Sequence, residues 1–210
     1  MSESRFVIFI VDDDPGVLKA LSRMLSTRGY EVRPFSSSTE FLARHDPCIP
    51  GCAIVDLSMP GLDGIELQAA LKAGGIERPV IFITGVGDIP VSVQAMKAGA
   101  LDFLTKPVKS QQLLAAVAQA VEKEAQALEV RNELASLNER IATLTTRERE
   151  VLTHVISGQL NKQTAADLGT VEKTVKLHRG RMMHKMGVRS VAELVRIAER
   201  VGIRPSDRRD

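Results

Sequence analysis

Residues 52–61 read CAIVDLSMPG, an apolar run from Cys52 to Val55 that ends on one carboxylate, Asp56, and is closed by the Pro60-Gly61 turn. A short β-branched run bounded in this way reads as a buried parallel strand. Ligands in open α/β sheets sit where such strands end, so this reading puts Asp56 at the sheet's carboxyl edge, pointing out of it. Three more runs deliver polar groups to the same edge. Phe6 to Val11 leads into Asp12, Asp13 and Asp14, Val80 to Ile83 leads into Thr84 and Gly85, and Asp102 to Thr105 leads into Lys106 and Pro107.

Between these strands lie helical patterns. Asp14 is a plausible N-cap with Pro15 at the first helical position, followed by an apolar face of Val17, Leu18, Leu21, Met24 and Leu25. A second strand, Glu31 to Phe35, precedes a Ser-rich cap and a short helix around Glu40 to Arg44. Helices are expected from about Ile65 to Ala73 and from about Pro90 to Ala98, with a long one opening at Ser110 as cap. The alternation predicts a doubly wound, five-stranded parallel sheet. Leu113, Leu114, Val117 and Val121 start an apolar stripe on the long helix, but Leu134, Leu137, Ile141 and Leu144 continue it in a slipped register. That slip, with Asn132 on the seam, fits equally a linker helix with at most modest coiled-coil pairing and a plain solvated helix.

A chain of 210 residues is long enough for two domains with separate cores. Aromatic residues make up only 3%, with no Trp and one Tyr, which argues against base stacking on single-stranded nucleic acid. No apolar run reaches the ~18 residues of a membrane span, and the amino terminus lacks a basic segment followed by an apolar signal core. A cytoplasmic protein with no membrane partner is expected. Cys48 and Cys52 fit neither zinc nor disulfide spacings and read as buried or incidental thiols. Net charge is −2 over residues 1–120, −2 over 121–142 and +6 over 143–210, which points to an acidic regulatory part and a basic nucleic-acid-binding part.

The ordered strings VDDDP, IVDLSMPGLDG, ITG and DFLTKP, over residues 5 to about 120, resemble the receiver domain of bacterial two-component response regulators. Carboxylates crowded at one edge repel one another unless a divalent cation sits among them, and an all-oxygen set suits Mg²⁺, or Mn²⁺ in its place. The resemblance makes Asp56 the phosphoacceptor, Asp12 and Asp13 the metal acids with Asp56, and Ser58 the source of a metal-ligating backbone carbonyl. Thr84 and Lys106 become the phosphate partners, Thr84 and Phe103 the switch pair, and Lys106-Pro107 a cis peptide. A phosphoryl group brings roughly two negative charges, which the metal and the Lys106 ammonium offset.

The last third reads as four short helices. Thr145 and Glu148 form a capping box, Gly158 is a C′ glycine, Asn161 caps the second helix, the third spans about Glu172 to Met186, and Ser190 caps the fourth. Helix, Gly169 turn and basic helix make a helix-turn-helix plan whose second member enters the DNA major groove. Val175, Met182, Met183 and Met186 are expected to face the core. Lys173, Thr174, Lys176, Leu177, Arg179, Arg181 and Lys185 are then the candidates for double-stranded promoter DNA. His178 and His184 are too far out of helical phase to share a metal.

The strings LTTREREVL, NKQTAADLG and TVKLHRGRMMHKMGV resemble the LuxR-type output domain over about residues 143–202. Receiver plus LuxR-type domain resembles the FixJ-like regulators, with GDIP, AMKAGA and NKQ similar to their aromatic-catabolism branch. Two departures stand out. Val171 occupies the usual N-cap position of the recognition helix, at a cost of about 1 kcal/mol unless Thr170 takes the cap, and Gly180 interrupts that helix at a cost of about 1 kcal/mol relative to Ala. The expected organisation is a receiver at 1–120, a linker helix at 121–142 and a DNA-binding domain at 143–210. The expected function is phosphorylation-activated transcription control, with a sensor histidine kinase as donor, a homodimer as the active form and RNA polymerase as a further partner. The alternatives are an aspartyl-phosphate phosphatase or phosphotransferase, which would carry an acid where Ser58 stands, and a kinase-binding adaptor that reads no DNA.

Val86, two residues after Thr84, matches a position that tunes acyl-phosphate hydrolysis in the resembled family, and its apolar side chain cannot orient a water. Phosphorylated Asp56 is therefore expected to be long-lived. Decay of radiolabelled phosphoprotein measures this, and a half-life of seconds would refute it.

Overall fold

The computed structural model describes residues 6–85 and 89–206, so Val86 and the Gly87 and Asp88 of the GDIP string lie outside the described residues. The chain divides into two compact units, residues 1–128 and 129–210.

The first unit is a parallel sheet of β1 (Val7–Val11), β2 (Glu31–Phe35), β3 (Gly51–Asp56), β4 (Val80–Thr84) and β5 (Asp102–Thr105), in the order β2-β1-β3-β4-β5. Between and after the strands run α1 (Pro15–Ser26), α2 (Ser38–Arg44), α3 (Gly64–Ala73), α4 (Ile89–Lys97) and α5 (Ser110–Ala142). Strands β1, β3 and β4 are buried along their whole length because both faces of the sheet are covered, which is why they read as unbroken apolar runs. The two-residue period sends Phe9, Val11, Val55 and Phe82 to a core shared with Phe41, Leu67 and Leu71. Ile8, Ile10, Ile54, Ile81 and Ile83 go to a second core with Leu21, Leu25, Leu113 and Val117. Strand order reverses between β1 and β3, so the crevice at their carboxyl ends is the natural ligand position.

Local capping follows the sequence closely in this unit. The Asp14 carboxylate accepts from Gly16 N–H at 2.7 Å with Pro15 in the first turn, and Ser37 caps α2. An Asp63–Glu66 capping box also opens α3, with Glu66 N–H donating to Asp63 Oδ1 and Asp63 N–H to Glu66 Oε2. Ser110 is the first residue of α5 rather than its cap, since Leu113 N–H donates to the Lys109 carbonyl. Cys52 is buried and its thiol is pushed up to about 12 by desolvation, which leaves it inert at neutral pH, while Cys48 is exposed.

The stripe on α5 slips because it serves two cores. Leu113, Ala116, Val117 and Ala120 pack under the sheet, whereas Ile141, with Leu144 just beyond the helix, belongs to the core of the second unit. That core is completed by α6 (Thr146–Ile156), α7 (Asn161–Asp167), α8 (Glu172–Met186) and α9 (Val191–Arg200), through Val151, Val155, Val175, Met182, Met186 and Leu194. The Thr145–Glu148 box and the Ser190 cap form as expected, and Gly158 follows α6 with φ +83°. Asn161 does not cap α7: Leu160 is the N-cap, Gln163 reaches back to its N–H at 2.8 Å, and Asn161 is already helical. The Asn161 amide oxygen instead accepts from Arg179 Nη1 at 3.0 Å.

Glu148 is almost fully buried and is bound by Lys185 Nζ at 2.7 Å. The Lys185 hydrogen bond, helped by the Thr145 backbone, lowers its carboxyl from 4.5 to about 2. A carboxyl lowered by folding stabilises the fold above its ordinary value, and that support is lost as pH falls. The second unit is therefore expected to lose stability as pH drops from about 4.5 towards about 2. Lys185→Met should flatten that dependence, as calorimetry across this pH range would show.

Candidate functional site

Strand ends deliver the site. Asp12 lies one residue beyond β1 and Asp56 ends β3, and both are buried, at 0% and 5% exposure. Lys106, one residue beyond β5, places Nζ 2.8 Å from Asp12 Oδ2 and 2.8 Å from Asp56 Oδ1. Its backbone N–H donates to the Thr84 carbonyl at 2.7 Å, so the end of β4 sets where the lysine begins, and Lys106-Pro107 is cis. The remaining carboxylate oxygens are also engaged: Asp14 N–H donates to Asp12 Oδ1 at 2.9 Å and Ser58 N–H to Asp56 Oδ2 at 3.2 Å.

Two buried carboxylates share one ammonium, which leaves one excess negative charge in a poorly solvated crevice. Desolvation pushes the Asp56 carboxyl above its usual range against the pull of Lys106, and the charge of Asp12 adds to the rise. Burial would lower Lys106, but its hydrogen bonds to Asp12 and Asp56 prevail and hold the ammonium above its usual value. An electron-rich carboxylate, a cation within reach of its incoming group and a tightly shaped floor can accept an electrophilic phosphoryl group. The floor includes Gly64, where a Cβ would stand 2.7 Å from the Asp56 carbonyl oxygen and 3.0 Å from the Phe82 ring. The sequence marks Gly64 only as part of a turn; its close approach to Asp56 is a tertiary fact.

The other candidates take distinct places. Asp13 and the Ser58 side chain are exposed at the edge, and Thr84 is buried at 2% exposure. Phe103, in register with Phe82, is partly buried against the first core.

In the second unit, α7 and α8 are joined through Gly169, which has φ +61°. Val171 is the N-cap of α8 and makes no side-chain cap bond. Lys173, Lys176, Leu177 and Arg181 are exposed along α8, and Thr174 is partly buried. Two of the basic candidates are held within the unit: Arg179 by Asn161, and Lys185 by Glu148 and the Thr143 carbonyl at 2.9 Å. A Cβ at Gly180 would meet no atom within 4 Å, so the glycine reflects no steric demand within the chain.

Residues 8–118 match the response regulator receiver domain family, and residues 142–198 match the bacterial regulatory proteins of the luxR family. Nodulation protein W of Bradyrhizobium diazoefficiens is 42% identical over 96% of this chain and 89% of its own length. Response regulator protein TmoT of Ectopseudomonas mendocina is 44% identical over 96% of this chain and 91% of its own. Among solved structures, response regulator StyR superposes with a TM-score of 0.81 at 43% identity, covering 93% of this chain and 98% of that one. Full-length FixJ from B. japonicum gives 0.57 at 36% identity, over 94% and 98%.

Removing the shared cation leaves two facing carboxylates in the crevice. Lys106→Met is expected to cost the first unit about 2 kcal/mol at neutral pH, less than a fully buried pair would because Lys106 is partly exposed. A carboxyl raised by folding withdraws stability as pH climbs through its range, so Asp56→Asn should gain on the wild type as pH rises from about 4. Urea unfolding of both variants between pH 4 and 8 measures both effects.

Proposed function

The chain belongs to the response regulators that join a receiver domain to a LuxR-type DNA-binding domain, and from that premise we propose that Asp56 is the residue whose phosphorylation controls DNA binding. Phosphorylation-dependent transcription control follows from the family, and the Lys106 bridge between buried Asp12 and Asp56 supports the choice of residue. An Asp56 carboxylate oxygen attacks the phosphorus of a sensor kinase phosphohistidine. The new O–P bond forms as the N–P bond breaks, and the imidazole leaves. Lys106, already 2.8 Å from Asp56 Oδ1, turns its ammonium to the arriving phosphoryl oxygens.

The donor types suit Mg²⁺, or Mn²⁺, because they are all oxygen and carry excess negative charge, although among the described residues no three acids stand together as a ready metal cluster. Asp12, Asp13, Asp56 and the Ser58 carbonyl would hold the ion, which when bound neutralises charge on the phosphoryl oxygens. The Thr84 hydroxyl donates to the phosphoryl group. With Phe103, it shifts the surface built by α4 and its neighbours. The same Asp56 carries the receiver's own dephosphorylation.

Phosphorylation then favours a homodimer, which sets two copies of α8 on one face of promoter DNA so that two half-sites combine. Lys173, Thr174, Lys176 and Arg181 contact phosphates and base edges, Leu177 offers an apolar contact to a base methyl, and Arg179 and Lys185 orient the helix. RNA polymerase is the downstream partner, and the cytoplasm is the place of action. No helix among the described residues is long and apolar enough to cross a membrane.

Sedimentation with and without a small phosphodonor and Mg²⁺, on wild type and Asp56→Asn, tests this reading. Dimer formation and tighter DNA binding are expected for the phosphorylated wild type alone. Equal dimerisation and DNA binding in every state would remove Asp56 as the control point.

A further inference from the structure

The carboxyl ends of α5 and α8 are each closed by a cation from the other. Arg140, in the last turn of α5, donates from Nη1 to the carbonyl of Met186, the last residue of α8, at 3.3 Å. Lys185, in the last turn of α8, donates from Nζ to the carbonyl of Thr143, just past α5, at 2.9 Å. Helix carboxyl ends leave carbonyls without intrahelical donors and carry partial negative charge, so each is a favourable seat for a cation.

The backbone at this junction suits the contact. Gly187 has φ +67°, and a Cβ on it would lie 3.0 Å from Arg140 Nη1, so the glycine allows both the left-handed turn and the close approach of the guanidinium. The same end of α5 is anchored elsewhere in the unit. Ile141 enters the core, Arg149 Nη2 donates to the Ile141 carbonyl at 2.8 Å, and the Arg200 guanidinium pairs with both oxygens of Glu133 at 2.5 and 2.7 Å. The last turns of α5 are thus a fifth helix of the second unit.

We propose that Arg140 is a positioning residue for DNA recognition, acting through the carboxyl end of α8 and touching no DNA itself. This rests on the reading of α8 as the DNA-contacting helix. A 15-residue helix is about 22 Å long. A pivot of about 10° at its far end carries residues near Lys173 through about 4 Å, more than hydrogen bonds to bases and phosphates tolerate. Neither the Glu148–Lys185 pair nor the core residues of α8 hold the Met186 carbonyl; Arg140 does.

The test uses the full chain with phosphodonor and Mg²⁺, and a duplex selected by the wild type from random DNA. Arg140→Met is expected to weaken binding about tenfold, the order of one lost charge-assisted hydrogen bond. The salt dependence should be unchanged, since no phosphate contact is lost. Amide exchange at Gly187 and Val188 should quicken, and Arg140→Lys should restore most of the affinity. Gly187→Ala, which crowds the guanidinium from the other side, should weaken binding likewise, so the outcome does not hang on one variant. Wild-type affinity in Arg140→Met, or a shallower salt slope showing that Arg140 itself meets phosphate, would overturn the proposal. Lys176→Ala serves as the separate check: it should weaken binding and reduce the salt slope by about one. If it does neither, the assignment of α8 has failed, whatever Arg140 does.

Discussion

One ammonium between two buried carboxylates holds the receiver's working edge together. Lys106 and Asp12 are 94 residues apart in sequence and 2.8 Å apart in space, and Asp56 joins them only because β1 and β3 are neighbours where the strand order reverses. Without the lysine, two like charges would face each other in a crevice that screens them only partly. Other features of the edge serve this contact: the Thr84 carbonyl fixes the backbone of Lys106, Asp14 and Ser58 supply N–H donors to the carboxylates, and Gly64 lets α3 start directly against Asp56. Because desolvation outweighs the lysine at Asp56, the site holds charge that is not fully compensated, a condition suited to accepting a metal and a phosphoryl group.

The second unit uses cations differently. Its basic excess looks in sequence like one DNA-binding surface, yet the residues divide by task. Lys173, Lys176 and Arg181 are exposed along α8. Lys185, Arg179 and Arg140 are engaged with Glu148, Asn161 and the Met186 carbonyl, so part of the positive charge of the domain builds and orients the helix that the rest projects from. A helix end supplies the partner of Arg140, and the Thr143 carbonyl just past α5 is a second partner of Lys185, because carbonyls without intrahelical donors carry partial negative charge.

Much of this was legible in the chain itself. Unbroken apolar runs mark the three central strands, whose ends point to Asp12, Asp56 and Thr84, the end of the edge strand β5 points to Lys106, and the caps at Asp14, Thr145 and Ser190 stand where their residue types put them. At Asn161 the cap expected from residue type loses to competition: Gln163 satisfies the orphan N–H of Leu160, and the asparagine is drawn to Arg179 on another helix. The slipped stripe of α5 was visible as a slip, but not that its two parts face two cores.

The elements, their order along the chain and the identity of the residues at the sheet edge are written in local pattern, because strand periodicity, capping and turn chemistry act between residues two to four apart. Which cation meets which partner follows from packing: Lys106 with both carboxylates, Lys185 with Glu148, 37 residues away, and Arg140 with the Met186 carbonyl, 46 away. Such contacts leave no local pattern. They exist only once packing has brought distant helix ends and strand ends within hydrogen-bonding reach, where burial makes a charge costly unless it is paired.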